Sequence, residues 1–178
     1  MKKLILSIFL ITAGLLSVNA QNVNLAVGTK APDWVFTDAD GKEFSMSSWQ
    51  GSVLQINYVD PDVSDLNDAA NDAIKKAKEV DKRIDGEKFK GFGIVDTKST
   101  WKPNMLIRTI AGNKAKKFNT TILFDYKATL QTLWGLPKDS YTMVIIDKNR
   151  VCRAIYKGEI PEGKFEEIIQ LIIELGNE

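Results

Sequence analysis

Four carboxylates crowd one short stretch of this chain. Asp60, Asp62, Asp65 and Asp68 follow directly on the apolar run Val53-Leu54-Gln55-Ile56-Asn57-Tyr58-Val59. Three chemistries fit such a pattern. The first is structural: acidic residues in a turn and in a first helical turn are stabilised by the positive end of the helix dipole and by caps. The second is a Ca²⁺ or Mg²⁺ site, but the spacing departs from the EF-hand loop, with no glycine at its sixth position and no acidic residue at its twelfth. The third is phosphoryl transfer, in which Asp60 after a buried strand would be the nucleophile and Asp62 the acid/base, with Mg²⁺ held by further carboxylates. No paired acidic motif occurs late in the chain to hold that metal, and Asp125 and Asp147 stand isolated in the sequence.

Other reactive side chains are few. The chain has no histidine, which removes Ser-His-Asp and Cys-His catalysis and histidine-based zinc or iron sites. Its one cysteine, Cys152, has no partner for an intramolecular disulfide. A lone cysteine in a strand behaves as a small buried hydrophobe. The competing reading is a thiol-based oxidoreductase or peroxiredoxin-like enzyme using Cys152. The tryptophans Trp34, Trp49, Trp101 and Trp134 read as core edging and loop anchors. Trp101 is the best candidate for a binding surface, because it stands in the polar loop Asp96–Pro103 after a strand. In α/β sheets such loops form the ligand crevice.

The first residues read as a targeting segment. Lys2 and Lys3 precede the apolar stretch Leu4–Leu16, and Val18-Asn19-Ala20 suits cleavage before Gln21. An uncleaved membrane anchor is the alternative. No cysteine follows to carry a lipid. The expectation is therefore a signal peptide over 1–20, a single domain over 21–178, and a periplasmic or secreted location. Removing Lys2 and Lys3 from the 24 basic side chains leaves 22 against 23 acidic ones. Such a balance does not indicate nucleic acid as a partner, and no later apolar run is long enough to span a bilayer. The expected partner is an exported protein or a small ligand, with neither cofactor nor metal.

Periodicity supplies the elements that position these residues. Trp34–Asp38 and Lys42–Met46 alternate in polarity around Asp40-Gly41 and predict a hairpin. Val53–Val59 is a core strand buried on both faces. Leu66, Ala70, Ala73, Ala77, Val80 and Ile84 place one apolar stripe on a helix over about Asp65–Ile84, with Ser64 as N-cap and Asp85-Gly86 as its end. Phe89–Val95 is a second strand. Pro103 precedes a helix over Asn104–Lys117 carried by Met105, Leu106, Ile110 and Ala115. Thr121–Phe124 is a short strand, and Leu130–Leu136 contains one helical turn. Thr142–Ile146 and Val151–Tyr156 form a late hairpin, and Pro161 opens a final helix. Strands alternating with helices predict a central mixed sheet flanked by helices on both faces, an α/β sandwich of three layers with an N-terminal hairpin.

This order resembles the thioredoxin-like superfamily. Val27-Gly28-Thr29-Lys30-Ala31-Pro32-Asp33-Trp34 looks like the entry segment of peroxiredoxin and TlpA-type domains. Thr142–Arg150 looks like their late hairpin, with Arg150 on the side where they carry glycine. A closer resemblance is to the YtfJ-like family of exported bacterial proteins. It rests on Tyr58-Val59-Asp60-Pro61, Val95-Asp96-Thr97, Phe124-Asp125 and Val144-Ile145-Ile146-Asp147.

The resemblance places a C-x-x-C pair at the turn after the first core strand. Here those positions read Asp62-Val63-Ser64-Asp65, and the superfamily's cis-proline position falls on Tyr141. A carboxylate cannot exchange disulfides. The resemblance therefore implies a redox-inactive binding or accessory protein. Its candidate ligand edge is formed by Asp60, Asp62, Asp65 and Trp101, near the degenerate positions Asp62, Asp65 and Tyr141.

Overall fold

The computed structural model describes residues 24–178. The expected signal segment and its cleavage point lie outside the described residues. β1 (Val35–Thr37) and β2 (Glu43–Ser45) form the N-terminal hairpin. β3 (Val53–Val59), α1 (Asp68–Glu79), β4 (Phe89–Asp96), α2 (Asn104–Phe118) and β5 (Thr121–Asp125) follow. Then come α3 (Thr129–Trp134), β6 (Tyr141–Ile146), β7 (Cys152–Lys157) and α4 (Phe165–Asn177). The strands make one sheet in the order β2-β1-β5-β4-β3-β6-β7. β3, β4 and β5 run parallel; β6 pairs antiparallel with β3.

The pleat sends alternate residues to opposite faces. Leu54, Ile56 and Tyr58 join Phe92, Ile94, Leu123, Leu130 and Trp134 on the face covered by α3 and the N-terminal segment. Val53 and Val59 join Ala70, Ile74, Ile168 and Ile172 on the face covered by α1 and α4. Val95 pairs with Val59, and Phe124 pairs with Val95. Ile107 and Ala111 pack on Phe124, so α2 shares the α1 face. That is the outcome of two right-handed β-α-β crossovers stepping the same way across the sheet.

Three local expectations differ from what forms. Asp60-Pro61 starts a 3-10 turn over Pro61–Val63, so α1 begins at Asp68 with Asn67, not Ser64, at its N-cap. The helix ends early: Lys82 takes the left-handed conformation at φ 54°, and Val80 is exposed. On α2 the inward side chains are Ile107 and Ala111, while Met105, Leu106 and Ile110 are exposed.

Candidate functional site

β3, β4 and β5 end side by side, each with a carboxylate at or just past its last residue. Asp96 and Asp125 are register partners, and Asp60 follows β3 directly. All three are buried, with relative exposures of 5% for Asp60, 1% for Asp96 and 0% for Asp125. Burial of a carboxylate demands donors, and local backbone supplies most of them. Asp125 accepts the Lys127 amide at 3.1 Å and the Leu130 amide at 3.0 Å, holding the turn into α3. Its second oxygen also accepts the hydroxyl of Tyr58 at 3.3 Å. Asp96 accepts the Lys98 amide at 3.0 Å, the Ser99 hydroxyl at 2.6 Å and the side-chain amide of Gln131. Burial first, then the Asp125 and Asp96 charges, push the Tyr58 phenol far above its ordinary range, so it stays a donor. Asp125 is therefore not isolated, as its place in the sequence implied; strand register delivers it to Asp96 and Tyr58.

Asp60 accepts the Asp62 amide at 2.8 Å and caps its own turn. Desolvation raises its pKa against that hydrogen bond, with the charges of Asp62, Asp139 and Asp96 adding to the rise. Asp62 and Asp65 point the other way, outward to α2's side of the fold. Asp62 is bonded to Lys102, and Asp65 accepts Lys114 at 3.0 Å. Hydrogen bonding to those lysines lowers the pKa of each carboxylate. The acidic residues of the turn thus splay instead of converging. Among the described residues, no group of three or more Asp, Glu, Cys or His could hold a metal ion. The same splay separates the phosphoryl-transfer pair: Asp60 is buried, whereas Asp62 is exposed and paired with Lys102.

The Asp60–Asp65 turn and the Trp101 loop do open on one sheet edge. The Lys102–Asp62 pair joins them directly, and the Asp139 amide donates to Ser99 at 3.3 Å from the loop before β6. Trp101 is 87% exposed there. Tyr141 also lies at this end, opposite Val59. Its ring is buried, however, and its hydroxyl accepts the Asn71 amide at 2.9 Å under α1. No peptide bond among the described residues is cis, Tyr141's included.

Cys152 lies at the far end of the sheet. It pairs with Ile146, which pairs with Leu54, five residues before Val59. At the usual strand rise Leu54 lies about 17 Å along β3 from Val59, and Cys152 is two strands further across the sheet. The thiol is fully buried among Leu25, Ala31 and Ile146, and burial pushes its pKa up to about 11.

Solved structures share this fold at low identity. A Chlorobium tepidum protein assigned as the thiol:disulfide interchange protein DsbE superposes with a TM-score of 0.62 at 18% identity, covering 86% of this chain and 99% of its own. BsSco, a member of the Sco family of cytochrome c oxidase assembly proteins, gives 0.62 at 15% identity, covering 88% and 99%. The pneumococcal exposed lipoprotein thioredoxin Etrx1 of Streptococcus pneumoniae gives 0.59 at 19% identity, covering 80% and 99%. These likenesses show a thioredoxin-like fold. No curated protein matches the sequence. A family profile matches residues 35–175, most of the chain, and the protein belongs to that family, described as "Bacterial protein of unknown function (YtfJ_HI0045)".

Proposed function

We propose that this protein is an exported, redox-inactive member of its family that binds a partner or ligand at the edge formed by Asp60, Asp62, Asp65 and Trp101. One observation carries the reading. Asp62 and Asp65, which the resemblance assigns to the superfamily's thiol positions, are each tied to a lysine of the neighbouring segment, while the sole thiol is buried at the opposite end of the sheet. A nucleophilic thiol needs a depressed pKa and access; Cys152 has an elevated pKa and no access. Export is supported by the basic and apolar N-terminal residues and by a fold neighbour, Etrx1, described as an exposed lipoprotein.

Insulin reduction and peroxide consumption test the redox half of the proposal. Wild type and Cys152→Ala should both run at the rate of the buffer blank. A rate present in wild type and lost in Cys152→Ala would overturn it. Hydrolysis of p-nitrophenyl phosphate with Mg²⁺, abolished by Asp60→Asn, would overturn it in favour of a phosphatase. Export is checked by mass spectrometry of the protein recovered outside the cytoplasm, which should begin at Gln21.

A further inference from the structure

The surface of α2 and the loop before it is unlike the rest of the molecule. Among the described residues nine large apolar side chains are exposed, and five lie here: Trp101, Met105, Leu106, Ile110 and Phe118. Met105 is 81% exposed, Ile110 55% and Leu106 47%. With successive residues about 100° apart on a helix, these three face away from buried Ile107 and Ala111. Lys116 and Lys117 continue the outward arc toward the helix C-terminus.

The charge of the segment is one-sided. Between Asp96 and Asp125 there is no acidic residue and there are six basic ones, Lys98, Lys102, Arg108, Lys114, Lys116 and Lys117. Lys102 and Lys114 are paired with Asp62 and Asp65. The other four have no carboxylate partner among the described residues. Beside the helix runs a groove of mixed polar and apolar lining, about 610 Å³ in volume, bordered by Asn104, Met105, Arg108, Asn113, Lys116 and Tyr126. The hydroxyl of Tyr126 is buried without a hydrogen-bond partner.

We propose that this face docks on an anionic lipid surface. Trp101, Met105, Leu106 and Ile110 enter the boundary between headgroups and acyl chains. Arg108, Lys116 and Lys117 meet lipid phosphates, for which the adjoining groove offers room. A convex helix with an apolar crown and a cationic flank matches a flat anionic interface, and an exposed tryptophan is at home at that depth. A protein partner fits the surface less well, because lysine is depleted at protein interfaces and here lysines flank Met105, Leu106 and Ile110 on both sides, Lys98 and Lys102 before them and Lys114, Lys116 and Lys117 after. The inference goes beyond the proposed binding edge. It shares Trp101 with that edge but needs neither the carboxylates nor the absence of redox activity.

The test uses the chain from Gln21 onward, which retains every described residue, and vesicles of phosphatidylcholine with or without about one-third phosphatidylglycerol. The protein should sediment with the anionic vesicles, remain in solution with pure phosphatidylcholine, and be released by about 1 M salt. Tryptophan emission should shift to the blue on binding. Trp101→Phe should keep most of the binding and lose most of the shift, since Trp34 and Trp134 are buried and Trp49 half-buried. The surface pairs Met105→Ser with Ile110→Ser, and Lys116→Glu with Lys117→Glu, should each weaken binding about tenfold or more; circular dichroism checks that they fold. Sedimentation with neither lipid, equal sedimentation with both, or binding untouched by the two double variants would each sink the proposal. The thiol assays above are unaffected by any of these outcomes.

Discussion

The hydroxyl of Tyr58 lies 3.3 Å from a carboxylate oxygen of Asp125, and both side chains are buried where the parallel strands end. The contact joins β3 to the turn that starts α3, which Asp125 holds through the Lys127 and Leu130 amides. Removing the hydroxyl takes one donor from a buried carboxylate and leaves its backbone donors in place. Tyr58→Phe should therefore destabilise the fold by about 1–3 kcal/mol, the range for leaving a buried polar group short of a partner. The urea unfolding midpoint measures this, and an unchanged midpoint would show that Asp125 is satisfied by backbone alone.

Asp60 gives a pH signature of definite sign. Its folded-state pKa is raised, chiefly by desolvation, above the ordinary 3.8. A raised carboxyl pKa contributes stability that is fully present below the unfolded value and is lost as pH rises through the folded value. Asn at this position keeps an oxygen to accept the Asp62 amide and carries no charge. Asp60→Asn should thus be more stable than wild type at neutral pH, with the difference closing below about pH 4. Urea midpoints across that range check it; a variant less stable at neutral pH would mean that ionised Asp60 stabilises its turn.

How much of this was visible in the sequence depends on how far apart the interacting residues lie. Val53–Val59 was legible as a strand buried on both faces because its apolar run is nearly unbroken. The final helix is legible from Pro161, which stands just before the Glu162–Lys164 turn that leads into α4. The sequence locates α2 but does not choose its inward face. The helix carries apolar residues around most of its circumference, and periodicity alone does not choose between the Met105-Leu106-Ile110 arc and the Ile107-Ala111 arc. The start of α1 is not legible locally, because Asn67 is held by residues 91 and 93 positions later. The Tyr58–Asp125 contact spans 67 positions and depends on the β3-β4-β5 register, which no local motif encodes.

Arg150 occupies the hairpin position where the superfamily carries glycine, and its φ of 67° lies in the left-handed region. That conformation costs a side-chain-bearing residue about 1–2 kcal/mol. Its guanidinium offsets the cost by donating to three carbonyls, those of Ser52 at 2.9 Å, Met46 at 2.8 Å and Trp49 at 2.7 Å. Arg150→Ala keeps the backbone cost and loses the hydrogen bonds, so it should destabilise by about 2–4 kcal/mol. Arg150→Gly loses the same bonds without the backbone cost and should be about 1 kcal/mol more stable than Arg150→Ala. Thermal or urea unfolding of the pair decides it; equal midpoints would mean the turn relaxes once the arginine is gone.

Asn67 ties the entrance of α1 to the connection between β7 and α4. Only 2% exposed, it donates from Nδ2 to the Gly158 carbonyl at 2.9 Å and accepts the Ile160 amide at 2.8 Å. Ile160 packs in the same core as Ala70, Ile74 and Ile168, so the two bonds fix the chain where α1 and α4 meet the sheet. Asn67→Ala strands a carbonyl and an amide together and should cost about 2–4 kcal/mol. Asn67→Asp keeps an acceptor for Ile160 but loses the donor to Gly158 and sets a carboxylate against that carbonyl. Its loss at neutral pH should shrink in acid, where the protonated carboxyl can donate again. A pH-independent loss in Asn67→Asp would show that the Gly158 bond carries little of the effect.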